Sequence, residues 1–133
     1  MDIESVRSYC LSLPHVTEKV QWGNDLLFRI GEKMFAVVNL DETSPNRLAF
    51  KCTPEKFAEL VEMEEIIPAP YMARNHWVAL QSWDALSAAE IRSLIRNSYD
   101  MVLAKLPKKV QATLGQNNSQ SKETTLGNPR RRK

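Results

Sequence analysis

Apolar positions recur at two different periods along this chain, and the period marks the element. Ile3, Val6, Cys10 and Leu13 fall on one face at helical spacing, after Asp2 as a cap and before Pro14 as a stop. Thr17–Trp22 leans toward strand but is short and mixed, and Gly23-Asn24-Asp25 follows as a turn cluster. Leu26–Ile30 and Lys33–Leu40 read as two strands joined at Gly31-Glu32, a β-hairpin. Arg47–Lys51 reads as a third strand after a loop holding Ser44 and Pro45. Thr53-Pro54-Glu55 opens a helix with a hydroxyl cap, a proline at the first helical position and an acid at the positive dipole end. Ile66–Pro70, with two prolines, is excluded from a helix or a central strand. His76–Gln81 is a further strand, with a short partner expected around Tyr71–Arg74. Ser87-Ala88-Ala89-Glu90 is a capping box, and the long helix behind it buries Ile91, Leu94, Ile95, Val102 and Leu106 before Pro107. The predicted order is α-β(3)-α-β(2)-α: a two-layer α+β fold with an antiparallel sheet covered by helices.

Alternation along the strands sorts their residues into two faces. Leu26, Phe28, Ile30, Met34, Ala36, Val38, Leu40, Leu48, Phe50, Cys52, Val78 and Leu80 are assigned to the helix side. The opposite face then receives Leu27, Arg29, Lys33, Phe35, Val37, Asn39, Arg47, Ala49, Lys51, Trp77, Ala79 and Gln81. That second face mixes four cations with two aromatics. Cations attract phosphates and aromatic rings offer stacking surfaces, so the mixture is a candidate nucleic-acid surface. Its bland alternative is an ordinary solvated sheet face.

Charge changes the picture once it is divided. The 133 residues hold 18 basic and 16 acidic side chains, net +2. Residues 1–114 carry 13 basic and 15 acidic residues, net −2, and the segment after Leu114 is net +4. The basic balance belongs to a C-terminal tail, 115–133, whose polar composition predicts disorder, behind a single folded domain over 1–114. No apolar run reaches the roughly 20 residues of a membrane span, and Met1-Asp2-Ile3-Glu4 is acidic where a signal peptide is basic. A cytoplasmic protein is expected, monomeric or homodimeric, with Cys10 and Cys52 reduced.

Catalytic chemistry is not evident. Phosphate-binding loops, dinucleotide fingerprints, HExxH and GxSxG are missing from the sequence. Cys10 and His15 are separated by Pro14 and lack an orienting acid, and the two cysteines and two histidines have no metal-ligand spacing. Glu62, Glu64 and Glu65 read as a solvated helix end, and Arg130–Lys133 as a weak, salt-sensitive polyanion contact. The expectation is a non-enzymatic protein with no cofactor and no metal.

The chain resembles a known family. Leu13-Pro14, Trp22-Gly23, Phe28–Ala36, Leu48–Cys52, Ile67–Met72, His76-Trp77-Val78, Ser98-Tyr99 and Lys105–Lys109, in this order and spacing, look like the MmcQ/YjbR-like family of small bacterial proteins. The match runs from about Met1 to Val110, and Pro14-His15 stands where many members carry Pro-Gly. The resemblance implies the compact α+β fold derived above, also seen in secretion-chaperone-like domains, and no enzymatic activity. It also implies DNA binding through a double-wing arrangement of β-hairpins.

Two functions follow as expectations. The first is DNA binding, weak and salt-dependent, by Arg29, Lys33, Arg47, Lys51, His76 and Trp77. The second is a protein- or small-molecule-binding module on the open face, built around Trp22, Phe35, Tyr71 and Trp77.

Overall fold

The computed structural model describes residues 1–70 and 72–120. Helix α1 spans Ile3–Ser12, and the Asp2 side chain accepts from the Ser5 N–H as its cap. Four strands follow: β1 (Thr17–Gln21), β2 (Asp25–Ile30), β3 (Lys33–Asn39) and β4 (Leu48–Lys51). Helix α2 (Pro54–Leu60) leads to β5 (Ile66–Pro68), a 3-10 turn over Ala73–Asn75 and β6 (Trp77–Leu80). Helices α3 (Ala88–Ala104) and α4 (Lys108–Gln120) complete the order. Thr53 caps α2, and Ser87 with Glu90 forms the capping box of α3.

The six strands make one antiparallel sheet, ordered β1-β2-β3-β4-β6-β5. The observed order is thus α-β(4)-α-β(2)-α-α, which extends the predicted arrangement within the same two-layer class. Thr17–Gln21 is a true strand at one edge. The partner of β6 is Ile66–Pro68 and not Tyr71–Arg74, because the chain from Met72 to His76 closes a 3-10 turn instead. Both prolines lie in or beside an edge strand, where a missing N–H breaks no ladder. α4 runs past the domain boundary expected at residue 114. Residues 121–133 of the basic tail, and Tyr71, lie outside the described residues.

One face of the sheet packs on the helices around Phe28, Ile30, Phe50, Val78, Leu80, Ile91 and Ile95. The alternation fails at one point. Phe28 pairs with Ala36 while Arg29 pairs with Met34, so Phe35 is the extra residue of a β-bulge. Phe35 therefore turns into the helix-side core, fully buried, with its ring edge-on to Tyr99 at 5.4 Å. Met34 moves to the opposite face. Both had been assigned the reverse, and Lys33, now opposite Ile30, also leaves the open face assigned to it, since strict period-2 counting has no way to register an inserted residue.

The bulge leaves backbone groups that the ladder does not pair, and α3 supplies the remedy. The Ser98 hydroxyl, fully buried, donates to the Phe35 carbonyl at 2.6 Å and accepts from the Lys51 N–H at 3.1 Å. Next to it, the Tyr99 hydroxyl donates to the Pro14 carbonyl at 2.8 Å. Burial pushes the Tyr99 phenol up to about 12. The Ser98-Tyr99 pair thus joins α3 to three separate stretches of the chain.

Candidate functional site

The strand register arranges the face away from the helices as three rows. Asp25, Asn39 and Arg47 lie side by side at one end: Asp25 pairs with Asn39, and the Asn39 N–H donates to the Arg47 carbonyl. Leu27, Val37, Ala49, Ala79 and Ile67 form the middle row. Arg29 pairs with Met34, and Lys51 with Trp77, at the far end. The two charged ends are separated by about 13 Å along β4, at roughly 3.3 Å per residue.

The far end carries the concentration of charge. Lys33, Lys51 and Lys105 line one cleft of about 310 Å³, floored by Met34, Trp77, Met101, Val102 and Leu106. No carboxylate belongs to this lining among the described residues. The Lys51 ammonium donates to the Asn75 carbonyl at 2.9 Å. Burial, with Lys105 close by, holds Lys51 below the ordinary lysine value. Three like charges are gathered here by separate elements, β3, β4 and the end of α3, against their mutual repulsion.

The sequence-predicted residues divide on this frame. Lys33, Lys51 and Trp77 come together. Lys105 joins them; nothing in its local sequence signals this, because its proximity depends on the packing of α3 across the sheet. Arg29 sits on the same face, but its Nη1 meets the Glu32 carboxylate at 3.3 Å and its Nε is closed from solvent with no partner among the described residues. Arg47 is at the other end of the sheet, where its Nη2 donates to the Asp41 and Ser44 carbonyls at 2.7 and 2.6 Å. His76 lies outside the cleft lining. It holds a left-handed turn at φ 64°, its ring edge-on to Phe57, and its carbonyl accepts from the Cys52 N–H and thiol.

The aromatic half of the expected surface is corrected. Phe35 is in the main core and Trp77 is only 6% exposed, covered with Leu27, Val37 and Ala79 by Ala69 and Met72. Neither presents a ring for base stacking. The hairpin tip is also no free-standing wing. A Cβ on Gly31 would meet Leu106 Cδ1 at 2.7 Å and Val110 Cγ1 at 3.2 Å, so the β2–β3 turn is tucked under the α3–α4 joint. The exposed hairpin aromatic is Trp22, 64% exposed at the β1–β2 turn with φ 55°. Tyr71 lies outside the described residues.

Among the described residues, no group of three His, Cys, Asp or Glu side chains is placed to hold a metal ion. Cys10 and Cys52 are free and buried, and burial raises their thiols to about 12 and about 11. No described helix is long and apolar enough to cross a membrane.

Fold and site define a class: a small α+β protein with an open antiparallel sheet, helices on one face and a lysine-lined cleft at the sheet's end. The YjbR family model matches residues 11–101, and the chain belongs to that family. A Deinococcus radiodurans protein carrying the DUF419 family domain has a similar crystal structure, with TM-score 0.76, 29% identity, and 86% of this chain and 88% of that one covered. A Pseudomonas syringae protein shares the fold, with TM-score 0.62, 22% identity, and 76% and 98% covered. None of the curated proteins compared with the chain matches it.

Proposed function

We propose that this protein binds nucleic acid without catalysing a reaction, through phosphate contacts made by Lys33, Lys51 and Lys105. The observation that supports this reading is the convergence of three ammonium groups on one cleft whose described lining has no carboxylate. Lysines so placed act as point charges on phosphate oxygens and carry no base readout, so the binding is weak and tolerant of sequence. Lys108 and Lys109 follow in sequence at the start of α4.

The test is fluorescence anisotropy of a labelled DNA duplex titrated with the full chain over a range of salt. Three phosphate contacts give a slope of log K against log salt of about −2.7. Lys105→Gln is expected to lower its magnitude by about 1. Replacing Arg130–Lys133 with glutamines separates the tail's contribution. Binding that survives loss of Lys105 with its slope intact, yet disappears with the tail's charges, overturns the cleft as the site.

A further inference from the structure

The opposite end of the open sheet face holds a second cavity, of about 210 Å³. Its floor is Val37, Ala49 and Ala79, where two alanines between larger neighbours leave a depression. Pro70 and Met72 wall one side, and the row Asp25–Asn39–Arg47 closes the end. This site shares no lining residue with the lysine cleft.

Its two charged groups are of opposite sign and do not pair. Arg47 and Asp25 both line the cavity, yet no ion pair joins them, and Asp25 has no side-chain partner among the described residues. Asn39 stands between them and is itself engaged, accepting from the Asp41 N–H and donating to Ser44. The Asp41 and Ser44 carbonyls grip the Arg47 guanidinium through Nη2 alone. A fixed guanidinium with unused N–H donors is suited to a carboxylate, which it can meet through two parallel hydrogen bonds. Burial holds the Asp25 carboxyl above its ordinary value, as expected for a carboxylate that no ion pair compensates.

We propose that this cavity binds a free α-amino acid with an apolar side chain. Arg47 takes its carboxylate, Asp25 takes its ammonium, and the Val37–Ala49–Ala79 floor takes the side chain. The size agrees: the volume lies below the roughly 300–1,000 Å³ of sites for drug-sized ligands. The charge pattern is selective too. A simple anion leaves Asp25 unpaired and repelling, and a simple amine does the same to Arg47.

The test is an amide NMR titration of the full chain with L-leucine, N-acetyl-leucine and leucinamide. L-leucine is expected to shift Asp25, Asn39, Ala49 and Ala79, with each blocked analogue binding about tenfold more weakly or worse, at least 1.4 kcal/mol. Asp25→Asn is expected to remove the preference for leucine over N-acetyl-leucine. Ala49→Leu, which fills the floor and touches neither charge, is expected to abolish all three responses. No shifts with millimolar leucine overturn the proposal, and so do equal responses to the three probes or a preference that survives Asp25→Asn.

Discussion

Replacing Ser98 with alanine removes one oxygen and leaves two backbone groups without a partner. The Phe35 carbonyl loses its donor at 2.6 Å and the Lys51 N–H loses its acceptor at 3.1 Å. Ser98 is fully buried, so water has no ready access to either group. An unpaired buried donor or acceptor costs about 1–3 kcal/mol, which gives about 2–6 kcal/mol for the pair. Relaxation of the bulge, already an irregular stretch, brings the expectation toward the lower half, about 2–4 kcal/mol. Against a typical total of about 5–15 kcal/mol this is a large loss. Urea denaturation followed by tryptophan fluorescence measures it. With a slope of about 1–3 kcal/mol per molar, the midpoint falls by about 1 M or more while the slope stays unchanged. Hydrogen exchange should locate the damage, with the Lys51 amide losing protection before the amides of β2. A midpoint within experimental error of the parent protein, with the Lys51 amide still protected, refutes the reasoning.

Three further predictions concern single positions. Gly31→Ala places a Cβ at 2.7 Å from Leu106 Cδ1 on a backbone at φ 57°, so it should lower the thermal midpoint and perturb the Leu106 and Val110 methyl resonances. Lys51→Met should raise the urea midpoint at pH 7 while weakening DNA binding. A lysine held below its ordinary value penalises the fold while charged, and that penalty fades as pH climbs through the folded value and is gone above 10.5, so the gap between the proteins should close over that range. Asp25→Asn should likewise stabilise at neutral pH. The folded carboxyl titrates above 3.8, so the parent regains the difference as pH falls through the folded value, and paired denaturation curves at pH 7 and in acid check the sign.

Local chemistry was the legible part of the sequence. Asp2, Thr53 and the Ser87–Glu90 box cap the helices they were assigned, because a cap depends on residues three or four apart. The Gly31-Glu32 turn was equally plain, and both residues adopt positive φ. Thr17–Gln21 was less so, since an edge strand exposed on both sides shows no clean alternation. The bulge at Phe35 was hidden. Its signal is a partner 63 residues away, the hydroxyl of Ser98. The site follows the same division. Lys51 and Trp77 came from strand alternation, whereas Lys33 reaches the cleft from the side of Ile30, because the bulge turned it and Phe35 off the face that alternation gave them. Lys105 arrives through helix packing, and its place in the cleft has no counterpart in local spacing.

An open sheet has two rims, and each is a template on which another copy of the chain could add strands. Here the rims are guarded by different means. On β1 the outer strand reads Thr17-Glu18-Lys19-Val20-Gln21; Glu18 is held by Arg7, and the exposed Lys19 sets a charge that an incoming strand must match or meet as repulsion. On β5 the strand is only three residues long and ends at Pro68, with Pro70 just beyond, so a growing ladder runs out of N–H donors. The two guards do not share a failure mode. Neutralising Glu18 and Lys19 would open one rim to aggregation in a salt-independent way, and replacing Pro68 would open the other. With a single rim open, two copies pair rim to rim and the assembly closes as a dimer, so open-ended growth needs both guards removed.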